Sequence, residues 1–276
     1  PPPGTHSLTR EGLATLVQYL ATTSHMHTSN NSRPSVPSSC KATDYGGGQM
    51  CNAAEGAKNL WTTGRHWNLN LATFNARTLC SEGSLAILFE ELEGVKWDIV
   101  GLREVRRTDE AYTVLQNGHV ICYRGLADRR ELGVGFVIHR NITGNLEEYY
   151  SINERVVGIV IKLNKRYKMK VVRAYAPTSS HDDASVESFY EDVESAMSKV
   201  KTQYTILMGD FNAKVEKKQA GDQAVGDYGI GTRNPRGELL VEVAERNSLR
   251  ILNTFYRKQG NRKWTRRSPD GEKRTK

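Results

Sequence analysis

The feature that most constrains the fold is the run Thr205-Ile206-Leu207-Met208 followed at once by Gly209-Asp210-Phe211-Asn212. A short, uninterrupted apolar run reads as a buried strand, and the Gly and Asp behind it read as the exit turn. A carboxylate and a carboxamide two residues apart then stand at the mouth of a sheet. Such a pair can orient and deprotonate a water while donating a hydrogen bond to an anion. Taken alone, Asp-x-Asn after a strand equally suits a plain turn, because both side chains bond their own backbone there.

Three more apolar runs end on polar residues upstream. Leu69-Asn70-Leu71-Ala72-Thr73-Phe74 runs into Asn75, Ile99-Val100-Gly101-Leu102 into Arg103-Glu104, and Lys170-Val171-Val172-Arg173-Ala174 into Tyr175-Ala176-Pro177-Thr178. Each has a plain alternative: a turn cap for Asn75, a solvated charge for Glu104, aromatic packing for Tyr175. In this order, however, the four resemble the endonuclease/exonuclease/phosphatase superfamily, whose motifs run Asn, Gln-Glu, Tyr-x-Pro and Gly-Asp-x-Asn. Within it the wording is most similar to endonuclease domains of non-LTR retrotransposons and to craniofacial development proteins. Thr73-Phe74-Asn75-Ala76-Arg77-Thr78-Leu79, Gly133-Val134-Gly135-Phe136-Val137-Ile138, Gly209-Asp210-Phe211-Asn212-Ala213-Lys214 and Trp264-Thr265 carry the likeness, over about residues 67–276.

The resemblance implies a four-layer α/β/β/α sandwich with its site where strand ends of two sheets converge. It implies Mg²⁺-dependent phosphodiester hydrolysis, with Mn²⁺ able to replace Mg²⁺, on DNA. Glu104 would be the principal metal ligand, helped by Asn75. Asp210 would be the general base, Asn212 would hold the phosphate and keep Asp210 in register, and Tyr175 would hydrogen-bond a phosphate oxygen. Thr265 and Arg266 would touch substrate.

Two departures qualify the expectation. Arg103 stands where the family has Gln, bringing a fixed positive charge beside the expected metal ligand. Family members also finish with an Asp-bearing strand and a Ser-Asp-His. Here the last histidine is His181, and the chain reaches Lys276 soon after Trp264-Thr265. The expectation is therefore a domain lacking its last strands, with weak or absent cleavage. Two other readings stay open: a non-catalytic module that binds nucleic acid or protein, and a lipid or inositol phosphate phosphatase of the same superfamily.

Charge separates the chain into three parts. Residues 1–65 carry five Lys/Arg against three acids and residues 66–256 carry 25 against 26, whereas the last twenty carry nine against two. The body is therefore near neutral, and the basic tail alone is a stripe suited to phosphates. Residues 1–65 are rich in Ser, Thr, Asn, Pro and Gly and read as a disordered leader, with residues 66–276 as the domain. Within the leader, Leu13, Leu16, Val17 and Leu20 have the spacing of a short amphipathic helix.

No window approaches the roughly 18 apolar residues of a membrane helix, and no secretory signal opens the chain. Cys40, Cys51, Cys80 and Cys122 lack zinc-site spacing and read as free thiols in a reducing, nuclear or cytoplasmic compartment. His181 reads as a loop residue ahead of a helix.

Overall fold

The apolar runs become the central strands of two sheets. The computed structural model describes residues 69–77, 79–178 and 181–257, together with the strand segments 18–22, 266–267 and 274–275. One sheet has the order β2 (Leu71–Asn75), β3 (Ile99–Arg103), β6 (Val134–Ile138), β5 (Val120–Arg124), β4 (Glu110–Val114). The other has the order β11 (Leu249–Ile251), β1 (Gln18–Thr22), β10 (Tyr204–Asp210), β9 (Lys168–Tyr175), β8 (Val156–Lys162), β7 (Leu146–Asn153). Among the described residues, β12 (Arg266–Arg267) and β13 (Arg274–Thr275) pair with each other.

Alternation along the strands builds the layers. Ile99, Phe136, Ile159, Val171 and Met208 pack between the two sheets. Their neighbours Val100 and Val137 face outward beneath Leu88 and Leu92 of α1 (Glu82–Glu93). Val172 and Leu207 face the other way, beneath α2 (Asp183–Ser198) and α3 (Pro235–Arg246), against Phe189, Val193 and Leu240. The result is the expected α/β/β/α order. Strands buried on both faces read as nearly continuous apolar runs, which is why β3 and β8 do.

Helix ends follow from their caps. Ser81 and Ser84 form a reciprocal capping box on α1, which stops at Gly94. Asp182 caps α2. Asn234 accepts from the Gly237 N–H with Pro235 in the first turn of α3. Lys170 is an exception to the apolar pattern of β9, and it is buried. Its ammonium donates to the carbonyls of Met197 and, at 2.7 Å, Val200, satisfying acceptors at the end of α2.

One expectation fails inside the leader. Of the stretch spaced as an amphipathic helix, residues 18–22 form strand β1, which pairs antiparallel with β10 on one side and β11 on the other. Ladder bonds on both edges outweigh the propensity of a short helix, which is marginal in water. Leu13, Leu16 and Val17 and the remainder of residues 1–65 lie outside the described residues, apart from this strand. Cys80 and Cys122 are free thiols, the latter buried, whereas Cys40 and Cys51 lie outside the described residues. No helix among the described residues is long and apolar enough to cross a membrane.

At the Asp98 end of β3, His119 stacks on Phe89 at 5.1 Å and lies 4.7 Å from the His139 ring. Its Nδ1 accepts from the Arg140 N–H at 3.0 Å. Burial pushes the imidazole down to about 4, and His139 and Arg140 add to the shift. An unfolded histidine titrates near 6.5, so between about pH 6.5 and about pH 4 the unfolded chain binds more protons. Stability therefore falls as pH is lowered through that window, by up to about 3 kcal/mol from this group. Urea midpoints measured across the window should drop less for His119→Phe than for the natural chain. Equal drops would show that His119 does not cause the acid sensitivity.

Candidate functional site

β2 and β3 run parallel with Asn75 opposite Arg103, and β9 and β10 run parallel with Tyr175 opposite Asp210. Four carboxyl-terminal strand ends, two from each sheet, therefore meet at one pole. An ion pair closes the gap: the Arg103 guanidinium of one sheet donates to the Asp210 carboxylate of the other. The Arg103 guanidinium carbon also lies 5.4 Å from the centre of the Tyr175 ring.

Glu104 follows β3 directly and has φ of 53°, in the left-handed region. A β3 residue that leaves its strand this way incurs a cost of order 1 kcal/mol, which the surrounding contacts must offset. Those contacts are visible. Asn75 Nδ2 donates to Glu104 Oε1 at 3.2 Å, and Arg106, itself left-handed at 52°, donates to Oε2 at 3.1 Å. Asn75 Oδ1 accepts from the Arg77 N–H at 3.2 Å.

Tyr175 is buried, and its hydroxyl has no hydrogen-bond partner among the described residues. Burial raises its pKa first, and the nearby Glu104 and Asp210 raise it further against Arg103 and Arg155. It therefore remains a neutral donor. Arg155 comes from the β7–β8 turn. It donates to the Tyr175 carbonyl at 3.4 Å, and its guanidinium carbon lies 6.0 Å from the ring centre, so two cations flank one phenol.

Asn212, at φ 48°, turns the chain after β10. Its backbone N–H donates to Asp210 Oδ1 at 3.1 Å, which fits the expected role of keeping Asp210 in register. Its side-chain amide donates to the carbonyls of Ala176 at 2.9 Å and Pro177 at 3.5 Å. That amide fastens the Tyr-x-Pro turn to the Gly-Asp-x-Asn turn.

Asn75, Glu104, Tyr175 and Asp210 are thus brought together, with Asn212 just behind them. Thr265 lies outside the described residues, and Arg266 is described only as a strand residue paired with Thr275. His181 precedes α2, and its carbonyl accepts from Arg236 at 3.0 Å. Sequence reasoning missed Arg106 and Arg155. Arg155 had a findable signal, since the β8–β9 register that sets Val156 opposite Ala174 puts it opposite Tyr175.

Among the described residues no group of three or more His, Cys, Asp and Glu side chains could hold a metal ion. Mg²⁺ usually needs only one or two carboxylates and keeps its waters, so the state of Glu104 and Asp210 decides the fit. Both oxygens of each already accept a hydrogen bond: from Asn75 and Arg106 on Glu104, and from Arg103 and the Asn212 N–H on Asp210. As arranged, the donor set does not fit a divalent cation.

No family model matches the chain. It is 28% identical over 205 residues to craniofacial development protein 2 of Bos taurus, covering 74% of this chain and 34% of that protein. The Tragulus javanicus counterpart is 27% identical over 202 residues, covering 73% and 34%. The chain spans about a third of the length of these curated relatives. Among solved structures, the endonuclease domain of TRAS1, a telomere-specific non-LTR retrotransposon, matches with a TM-score of 0.40 at 16% identity, covering 65% of this chain and 70% of that one. The 3' phosphatase NExo from Neisseria, bound to a product DNA hairpin, matches with a TM-score of 0.41 at 14% identity, covering 56% and 61%. The chain is therefore similar in sequence to craniofacial development protein 2, and it has the layered α/β fold expected of the endonuclease/exonuclease/phosphatase superfamily.

Proposed function

We propose that this cleft handles the phosphodiester backbone of DNA, as a domain of the retroelement endonuclease type whose hydrolysis is weak. The observation that supports it best is the convergence of Asn75, Glu104, Tyr175 and Asp210 through the Arg103–Asp210 pair. Tyr175 offers an uncommitted neutral donor, and at the mouth Arg103 and Arg106 neutralise Asp210 and Glu104, which leaves Arg155 as the surplus positive charge beside the ring. A phosphate oxygen is the acceptor such a donor set suits.

In the family's chemistry a cation held by Glu104 and Asn75 would supply stabilisation of charge on the phosphoryl oxygens. Since these side chains are engaged with Arg106 and with each other, the chain's own contribution is binding and orientation. Arg103 fixes the Asp210 carboxylate, and Tyr175 donates to phosphate. Asn212 holds the two turns at a constant distance.

Anisotropy titrations of a DNA duplex at several salt concentrations, run beside a plasmid-nicking assay, test this reading. Binding should weaken steeply with salt, and nicking should be slow. Tyr175→Phe should weaken binding about tenfold or more, the worth of a hydrogen bond to a charged group. Binding that ignores Tyr175→Phe but disappears when residues 257–276 are deleted would favour the other reading, a module that binds through its nine terminal Lys/Arg residues.

A further inference from the structure

We infer that Arg103 is the resident cation of this cleft: it keeps divalent ions off Asp210 and Glu104, and it lets the cleft hold a DNA phosphate without metal. The phosphate half of this inference rests on the proposed function above. The cation half does not.

The geometry is unusually committed. Arg103 is the last residue of β3, its side chain is only 17% exposed, and its guanidinium is held from two sides. The Asp210 carboxylate takes one amino group, the Tyr175 ring lies beneath at 5.4 Å, and Nε is enclosed with no hydrogen-bond partner among the described residues. A lysine at this position would be a flexible point charge. Arginine is planar, cannot lose its proton in a protein, and loses little freedom when stacked on an aromatic face.

Charge and coordination then point the same way. A divalent ion approaching Asp210 would compete with Arg103 for its carboxylate and remain a few ångströms from the guanidinium. That repulsion is only partly screened near a protein surface, and it is larger for a doubly charged ion. Glu104 offers no easier route, because Asn75 and Arg106 hold its two oxygens. A phosphate meets the opposite situation. The Asp210 and Glu104 carboxylates near the Tyr175 hydroxyl are each neutralised by an arginine, and Arg155 adds a further guanidinium beside the ring, with no ion to wait for. Arg103 is accordingly a specificity-determining residue: it trades a cation site for an anion site at the same pole.

The test uses the full chain and two separate readouts. In the first, Mn²⁺ alone is titrated and followed by electron paramagnetic resonance, for the natural chain, Arg103→Gln, Arg103→Met and Arg103→Lys. Both neutral variants should bind Mn²⁺ at least about tenfold more tightly than the natural chain, and Arg103→Lys should gain less. Two neutral variants guard against one that misfolds, which circular dichroism would reveal. In the second, a DNA duplex is titrated with and without EDTA. The natural chain should bind equally in both, whereas Arg103→Gln should lose at least about tenfold of its EDTA-resistant affinity.

The inference is overturned if the natural chain binds Mn²⁺ as tightly as the neutral variants, or if EDTA releases its DNA. Tighter Mn²⁺ binding by the neutral variants with no DNA binding by any chain would uphold the cation half and sink both the phosphate half and the proposed function.

Discussion

Replacing Arg233 with methionine should destabilise the protein by about 3–5 kcal/mol, the usual penalty for leaving one member of a buried ion pair behind. The Arg233 and Asp222 side chains are 4% and 10% exposed, and their charges meet in the loop between β10 and α3. The hydrogen bond from Arg233 is the main reason the Asp222 carboxyl sits below the usual carboxylate range. Arg233 also donates from Nε to the Val215 carbonyl at 2.9 Å. Its neighbour Asn234 accepts from the Lys214 N–H at 3.0 Å. The pair therefore pins the segment that leaves β10 through Asn212, so its loss should loosen the site as well as the fold. Since domains of this size are stable by only about 5–15 kcal/mol, the change is large. Urea unfolding measures it. Arg233→Met combined with Asp222→Leu should recover much of the loss, because no charge is then left buried. A loss under about 1 kcal/mol for the single variant would show that the loop does not depend on the pair.

Gly209→Ala should be nearly as damaging, although it adds one methyl. A Cβ at residue 209 would lie 2.2 Å from the Ala174 carbonyl oxygen and 3.0 Å from its carbon. These are backbone atoms of the adjacent strand, so no rotamer change relieves the contact. β9 and β10 must separate where Gly209 opposes Ala174, one residue before Asp210 opposes Tyr175. Overpacking of this kind costs about 1–3 kcal/mol or more, and the upper end is expected here because backbone must move. For a domain near this size that is a fall in melting temperature of roughly 6–12 °C. DNA binding should weaken beyond what unfolding explains, since Asp210 and Tyr175 lose their register. A melting temperature within about 1 °C of the natural chain would mean the strands can accommodate the methyl and that Gly209 is in the motif for another reason.

What could be read from the sequence follows from where each residue sits. Asn75, Glu104, Tyr175 and Asp210 each end an apolar run, so hydrophobic patterning places them at strand exits and the motif order places them together. Two helices are legible from pattern as well: Leu85, Leu88, Phe89 and Leu92 stripe α1, and Asn234-Pro235 is a cap and first turn for α3. Two of the missed elements lie at edges. β4 reads Glu-Ala-Tyr-Thr-Val with Tyr112 and Val114 exposed, and β7 carries Glu147 and Glu148, so neither shows a buried face clearly. β1 could not be read at all, because its partners are backbone ladders about 190 residues away in β10 and about 230 away in β11. The role of Arg103 lay between these cases. Its charge was conspicuous beside Glu104, but its partner proved to be Asp210, on the other sheet, which only the packing of two sheets could bring within reach.

We propose that the cleft, and not the basic tail, receives the DNA backbone. A crystal structure of the chain with a short DNA duplex tests it most directly. The account predicts a phosphate with one oxygen about 3 Å from the Tyr175 hydroxyl and another at hydrogen-bonding distance from Arg103 or Arg155. Duplex found only against residues 257–276, with the Arg103–Asp210 pair far from any phosphate, would contradict it.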